Sequence, residues 1–549
     1  MGRLIYLLPI AFLAVFYFYP LWSILRLSLA PAGELDFGAL SGLFSTDYYA
    51  RTFAFTVGQS VLSTILTVAA ALPAAYVFSR FRFPGKTLLL SAATLPFVLP
   101  TVVVAAAFSA LIGERGVLNQ LLQSLLMLDG PPLRLERTLA IILIVHVFYN
   151  FSVALRILVG YWSTQSQRIE EAARVLGASG WRLWWHVRLP MLRPAIFASG
   201  LLIFIFTFTS FGVILILGGA RFATLEVEIY FQAVSLFNLP TAALLSLIQI
   251  GTMLSVMAAY TRLQANAPRP ELARSQSIQR RPETIRERVL ISMTAAGIIG
   301  FLVMPLAALA LRAFSAGGSL TLQNFAALSG NPRGSVLFVP PTTAILNSLS
   351  IAAVTMCMAL VLGLISAHLL NQRSGRRGAF LDVIFMLPLA TSAVTLGFGF
   401  LITMGEPHFN LRSSPLLLPL AHTLVALPFV VRSVLPALRA IPPNVLGAAS
   451  VLGASAIQKW RLVIMPLIWR GLAVGATFAF TVSIGEFGAS AFIARPDNPT
   501  IPVVIFRLLG QPGASNYGQA MAMSVVLLAV CAVCFIAIEQ ARTPGTGEF

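Results

Sequence analysis

Charge is what this chain has least of. Only 10% of its 549 residues are Asp, Glu, Lys or Arg, against roughly 25% in an ordinary soluble protein, which excludes a water-facing globule. Cysteine is almost absent: Cys357, Cys531 and Cys534 are the whole complement. The last two form a CxxC inside the final apolar run, with no second pair and no neighbouring histidine. They read as packing residues, because a metal or redox site needs more ligands. The phosphate-cradling pattern GxxxxGK[ST] is missing too. The turn Pro84-Gly85-Lys86 lacks its spacing and follows no strand, so the sequence offers no nucleotide site of its own.

Apolar residues take the place of charge. They make up 58% of the chain, and mean hydropathy is +0.86. Runs of about twenty apolar residues recur, long enough to cross a hydrocarbon layer about 30 Å thick as helices. Twelve are predicted, over 4–26, 52–78, 88–112, 138–161, 194–218, 239–260, 289–311, 343–369, 379–403, 414–431, 471–493 and 518–538. Helices satisfy their own backbone groups, so such runs need no polar partners. The first run contains Pro20 and exceeds the apolar length of a cleaved leader, so it is expected to be retained.

The net charge of +18 reads as orientation rather than nucleic-acid binding. With the N-terminus inside, 25 of the 37 Lys and Arg fall in cytoplasmic segments and 11 outside, with Arg156 within a span. Positive charge in short loops sets topology. Both termini are therefore expected in the cytoplasm, with membrane lipid and not nucleic acid as the partner of the basic segments.

The chain is also written twice. Residues 171–190 read EAARVLGASGWRLWWHVRLP and residues 447–466 read GAASVLGASAIQKWRLVIMP, with ten of twenty positions identical at an offset of 276. The same offset pairs His146 with His422, Arg156 with Arg432, and Ser210-Phe211-Gly212 with Glu486-Phe487-Gly488. Earlier in each half the offset is 292, pairing Leu95-Pro96 with Leu387-Pro388, because the external loop 113–137 is the longer one. A register held over that length means duplication of one unit. The expected domains are residues 1–262 and 289–549, joined by a cytoplasmic linker, 263–288, rich in Arg, Pro and Glu. The expected fold is an all-α integral membrane protein of about twelve transmembrane helices in two homologous six-helix halves.

Each copy of the motif falls between the fourth and fifth spans of its half. In the first copy Glu171-Ala172-Ala173-Arg174 is a good helical turn, which Gly177 breaks. An amphipathic stretch from Trp181 to Val187 follows, and Pro190 and Pro194 are expected to close the unit. Helix, kink and helix make a protruding elbow. Small residues at Ala172, Ala173, Gly177 and Ala178 let another backbone come close. Trp181, Trp184 and Trp185 supply bulk for a partner's groove or for the lipid interface.

The pattern EAAxxxGA with a downstream LP resembles the cytoplasmic loop of permease subunits of binding-protein-dependent ABC importers. In that family the loop forms a coupling helix docked in the ATPase subunit. Glu171, Ala172, Ala173, Gly177, Ala178 and Pro190 match the motif in the first copy. Ala448, Ala449, Gly453, Ala454 and Pro466 match in the second, where Gly447 replaces the acid. The resemblance implies a type I importer permease with both transmembrane domains fused, in the bacterial inner membrane. Its implied partners are two copies of a cytoplasmic ABC ATPase and an extracytoplasmic substrate-binding protein. It implies a transport protein and not an enzyme, with no cofactor on this chain and with ATP and Mg on the partner subunits. The elbows would carry ATPase closure into the membrane and switch a cavity between inward and outward access. The missing acid implies that the two ATPase sites are not driven equivalently.

Fused permeases of this kind resemble the thiamine and ferric-iron groups. The stretches 146–150, 217–219 and 224–230 lean toward thiamine or its phosphates, with ferric iron as the alternative and polyamines, sulfate or phosphonates behind it. An ion-coupled secondary transporter is a more remote reading, which expects paired intramembrane ionisable residues rather than a dock. The candidate pathway residues are Glu486 and Phe487 with their equivalents Ser210 and Phe211. Glu486 is the one acid in the middle of a predicted span, where charge is costly. It is expected either to meet a cationic cargo or to serve gating or packing. His146 and His422 read as hydrogen-bonded across helices rather than as a metal pair, and no metal site is expected.

Overall fold

The computed structural model describes residues 3–30, 47–165, 167–265, 279–330, 337–373, 375–407 and 409–541, with isolated positions between 33 and 45. Residues 266–278, half of the expected linker, lie outside that set. Among the described residues eleven helices are long and apolar enough to cross a membrane. A twelfth forms if Gly375–Ala390 and Ala393–Thr403, bent by 90° at their junction, count as one span.

Several predicted spans differ from the structure, and the differences share a cause. The run 88–112 is not one helix: Lys86–Val98 ends where Leu99 and Pro100 turn extended, and a new helix begins at Thr101. The run 379–403 breaks at the equivalent point, 292 residues on, where Ser392 is extended and its hydroxyl caps the Val394 N–H at 3.0 Å. The run 194–218 is helical only to Phe208 and resumes at Gly212. The run 471–493 is helical to Gly485 and resumes at Gly488. Hydropathy carries straight through all four breaks because it does not register backbone dihedrals. Irregular backbone at membrane depth is tolerated where it lines a cavity or is buried in protein.

The elbow helices extend further than expected. Pro190 and Pro194 do not close the unit: the helix that starts at Gly180 runs to Phe208, and its counterpart runs Ala456–Gly485. Each passes its proline through a widened π turn, Trp184–Arg188 before Pro190 and Lys459–Ile464 before Pro466. The first span does the same, with Ala14–Phe18 before Pro20. A proline ring crowds the carbonyl four residues back and brings no N–H, and opening the turn by one residue relieves both.

Each half lends its leading helix to the other. Leu4–Leu29 packs against Ala393–Thr403 as well as Leu239–Ala265. Tyr17 Oη meets Thr391 Oγ1 at 2.6 Å, and Tyr19 donates to Glu406 at 2.6 Å. Conversely Ile285–Ala313 packs against Thr101–Ile112 of the first half. The end of the linker is docked as well. Arg82 N–H donates to the Arg280 carbonyl at 3.0 Å, and the Arg280 guanidinium lies over the Phe81 ring. The loop 113–137 holds a helix, Val117–Leu126, pinned where the Asn119 amide donates to Leu133 O and accepts from Leu133 N–H.

Candidate functional site

Two elbows and one cavity carry the candidate residues. In the first elbow the helix Gln167–Val175 ends in a left-handed cap at Gly177, φ +87°. Gly177 N–H donates to Arg174 O, and Ala178 N–H to Ala173 O, both at 2.9 Å. The second elbow repeats this bond for bond: Pro443–Val451, Gly453 at φ +79°, with Gly453 to Ser450 and Ala454 to Ala449 at 3.0 Å. Only a residue without Cβ takes this turn cheaply, which explains the shared glycine. The turn thrusts two aliphatic side chains outward. Val175 and Leu176 are each 88% exposed, and Val451 and Leu452 are 89% and 86% exposed.

These four side chains were not among the sequence candidates, although they sit inside the identical VLGAS. Aliphatic residues in a helical motif read as core, and only the cap geometry shows that they point away from it. Of the candidates themselves, Glu171, Ala172 and Gly177 are exposed and Ala173, Ala178 and Pro190 half-buried. Ala448, Gly453 and Pro466 are exposed, with Ala449 and Ala454 half-buried. The tryptophans divide. Trp181 and Trp185 are exposed and stack edge to face, whereas Trp184 turns inward against Tyr76 and Trp162.

The acid that anchors the first elbow is Glu170, not Glu171. Its carboxylate accepts from Arg80 at 2.7 Å and Arg188 at 3.0 Å, with all three side chains at most 15% exposed. Arg188 lies over the rings of Tyr76, at 4.8 Å, and Trp184, at 5.2 Å. Burial by itself would push the Glu170 carboxyl up. The hydrogen bonds and charges of Arg188 and Arg80 outweigh burial and leave it below the ordinary carboxylate value. Among the described residues the second elbow has no such clamp. The repeat places Leu446, Ile464 and Gln372 at the equivalents of Glu170, Arg188 and Arg80. There Gln372 bonds His368 at 2.9 Å, and His368 packs edge-on to Trp460.

The four helix breaks converge on a cavity of about 330 Å³. Ser210, Phe211, Glu486 and Phe487 all line it, with Thr101 and Ser392 from the other two breaks. Phe211 and Phe487, equivalent residues of the two halves, stack on each other with centroids 5.3 Å apart. A second equivalent pair flanks them: Tyr230 lies 5.4 Å from Phe211, and Phe506 lies 5.4 Å from Phe487. The internal twofold therefore runs through a cluster of four rings. A helix of 29 residues, Gly180–Phe208, separates it from the first elbow by about 44 Å at 1.5 Å per residue.

Glu486 has one face on the cavity and its carboxylate held from behind. It accepts from the N–H groups of Ala489 at 2.9 Å and Ser490 at 3.0 Å, and from Ser490 Oγ at 3.1 Å. An anion at the start of Gly488–Ile493 satisfies donors that a helix leaves free. His422 Nε2 lies 3.2 Å from the same carboxylate, and its Nδ1 lies 2.9 Å from Ser483 Oγ. In the first half His146 bridges Ser63 and Ser210, both at 2.9 Å. Both histidines are thus hydrogen-bonded across helices. Among the described residues no group of three or more His, Cys, Asp or Glu could hold a metal ion. Two further buried acids lie in the stretch 224–230 and were not among the sequence candidates for the site. Glu226 bonds Gln249, and Glu228 accepts from Tyr48 at 2.8 Å and Gln232 at 2.7 Å. They tie the short helix Leu225–Tyr230 to neighbouring spans.

Comparison with known proteins matches residues 63–267 and 359–543 to one family model, the binding-protein-dependent transport system inner membrane component. The chain is 27% identical to the thiamine transport system permease protein ThiP of Salmonella typhimurium (strain LT2), over 94% of each. It is 27% identical to that of Escherichia coli (strain K12), over 91% of this chain and 90% of the relative. Against that of Haemophilus influenzae (strain Rd) identity is 27%, over 97% and 95%. Two family matches, one on each half and each spanning one elbow and one side of the cavity, agree with the duplication: this chain belongs to the inner membrane components of binding-protein-dependent transport systems.

Proposed function

We propose that this chain is the membrane-spanning permease of an ATP-driven thiamine importer, both halves in one polypeptide. Two copies of a cytoplasmic ATPase dock on the two elbows, and an extracytoplasmic binding protein delivers the cargo to the opposite face. The termini are cytoplasmic. ATP and Mg²⁺ belong to the ATPase subunits, and this chain holds no cofactor. The observation that carries the reading is the pair of identical aliphatic tips, Val175-Leu176 and Val451-Leu452, exposed beyond 85% on matching caps. Exposed apolar pairs of this kind mark a contact surface, and two of them related by an internal repeat suit two copies of one partner. Thiamine is favoured by the relatives' names and by the cavity, whose aromatic walls and Glu486 carboxylate suit a flat cationic ring.

In this mechanism closure of the ATPases moves the elbows, and the unbroken helices Gly180–Phe208 and Ala456–Gly485 pass the motion to the breaks at Ser210 and Glu486. The Phe211–Phe487 stack joins the two halves across the cavity and acts as its gate, and parting the halves opens it.

The test is uptake into proteoliposomes holding the permease, its ATPase and its binding protein, with labelled thiamine and ferric iron in parallel. ATP-dependent thiamine uptake is the expected result, and uptake of iron alone transfers the reading to a ferric importer. Glu486→Gln is expected to slow thiamine uptake by roughly tenfold, the scale of one charge-assisted contact, without loss of assembly. Unchanged kinetics would remove Glu486 from the pathway. The double substitution Phe211→Ala, Phe487→Ala removes the stack and is expected to let preloaded thiamine escape without ATP. Efflux no faster than from protein-free vesicles loaded with thiamine would show that the rings do not close the route.

A further inference from the structure

A second hollow, of about 680 Å³, lies between the N-terminal helix and Gly375–Ala390. It is on the elbow face. Tyr6, in its wall, donates to Gln372 at 3.2 Å and stacks on His368, which touches Trp460 at the foot of the second elbow. One wall carries Arg373, Arg376 and Arg377. None of the three has an ion-pair partner among the described residues. The acid on the same helix, Asp382, faces Arg432 at 3.5 Å and does not line the hollow. Three guanidiniums within five residues repel one another, and two of them stand in the first turn of a helix, whose dipole also disfavours cations there. An anion would relieve all of these repulsions, and a guanidinium fork matches a phosphate oxygen pair.

Apolar side chains also line the hollow. Leu7 and Ile10 reach it from the apolar span Leu4–Leu29 and Phe380 from one turn beyond Arg376, and they are 56%, 39% and 66% exposed. We propose that this hollow binds an anionic phospholipid, its phosphodiester among Arg373, Arg376 and Arg377 and an acyl chain along Leu7, Ile10 and Phe380. A free phosphate has no use for the apolar side chains, so the lipid is the occupant. The helix that forms the site, Gly375–Ala390, bends directly into Ser392 at the cavity, so an occupied site braces the ninth span where it enters the transport route. Placing the lipid in the cytoplasmic leaflet rests on the orientation proposed above. Binding itself does not, and its test involves neither ATPase nor transport.

The experiment is native mass spectrometry of the full-length chain released from detergent, titrated with phosphatidylglycerol and, separately, phosphatidylcholine. Phosphatidylglycerol adducts are expected to survive activation that strips phosphatidylcholine. The triple variant Arg373→Gln, Arg376→Gln, Arg377→Gln is expected to weaken phosphatidylglycerol binding by on the order of a hundredfold, three near-surface charges at about fivefold each. Because those arginines also help set topology, Phe380→Glu is the second variant. It keeps all three and puts a carboxylate at the rim, and is expected to weaken binding by about tenfold. Thermal unfolding without lipid serves as the fold control for both. Equal retention of the two lipids, or undiminished phosphatidylglycerol binding in both folded variants, overturns the proposal. Displacement of the lipid by inorganic phosphate of equal affinity overturns it as well, in favour of a free-anion site.

Discussion

Gly177→Glu is expected to reduce ATP-driven uptake to background while the protein still inserts and folds, and Gly453→Glu to do the same. Both glycines hold φ near +80°, where a side chain costs roughly 1–2 kcal/mol. A Cβ built at either position meets nothing within 4 Å, so the substitution disturbs no packing inside the chain. What it disturbs is the tip: a carboxylate appears beside Val175 and Leu176, or Val451 and Leu452, in the middle of the surface assigned to the ATPase. Desolvating an unpaired charge in an interface costs several kcal/mol, enough to weaken docking by a factor of a hundred or more. Gly177→Asn separates strain from charge, because asparagine tolerates the left-handed region, and it is expected to keep most of the docking. Pull-down of the ATPase by Gly177→Glu at parental stoichiometry would sink the coupling assignment.

Glu170→Gln is expected to loosen the first elbow and leave the second untouched. The substitution orphans Arg80 and Arg188, which are 15% and 6% exposed. Because Arg80 keeps some solvent, the local cost is set at about 2–3 kcal/mol, just below that of breaking a fully buried pair. Amide hydrogen exchange over 167–176 is expected to rise by roughly thirtyfold or more, with 443–452 unchanged. The pH dependence has a defined sign. The folded pKa of Glu170 lies below its ordinary 4.5. Its contribution is therefore complete above about 4.5 and lost as pH falls through the folded value. In the parent, exchange in the first elbow stays flat from neutral pH down to that point after correction for intrinsic rates, then climbs. In Glu170→Gln the step is gone. Equal exchange in parent and variant would show that the ionic clamp does not hold the elbow.

The two predictions also show where the sequence could be read and where it could not. The elbows were legible because they are short, local and duplicated: a helix-breaking glycine at the same place in two copies is a signal that needs no tertiary information. Most spans were legible from hydropathy alone, but the third, fifth and eleventh were misplaced by ten residues or more, their helices running Thr101–Leu126, Gly180–Phe208 and Ala456–Gly485. The breaks were not legible, since Leu99-Pro100 and Ser392 sit inside runs whose composition never changes. Glu170 was passed over for its neighbour Glu171 because the motif points to the latter. What selects Glu170 is a pair of arginines 90 and 18 residues away, and no spacing rule connects them. Pro190 misled for a physical reason. Proline usually ends a helix by clash and a missing donor, and here a π turn absorbs both. The exchange of leading helices between halves left no mark in the sequence, since loop length does not name the helix a span will lie against.

Those π turns carry a consequence for helical phase. Each adds one residue to a turn, and one residue of an α-helix is about 100° of rotation. Everything beyond Arg188, and beyond Ile464, is thereby indexed round its axis relative to an uninterrupted helix. The side chains that face the cavity some twenty residues later are selected at the foot of the rod, next to the proline. If the widened turn closed on one side only, that rod would advance by a residue, and Ser210 would fall out of step with Glu486 across the twofold. The two copies keep the same proline in the same place, and with it a common angular origin for the two walls of the route.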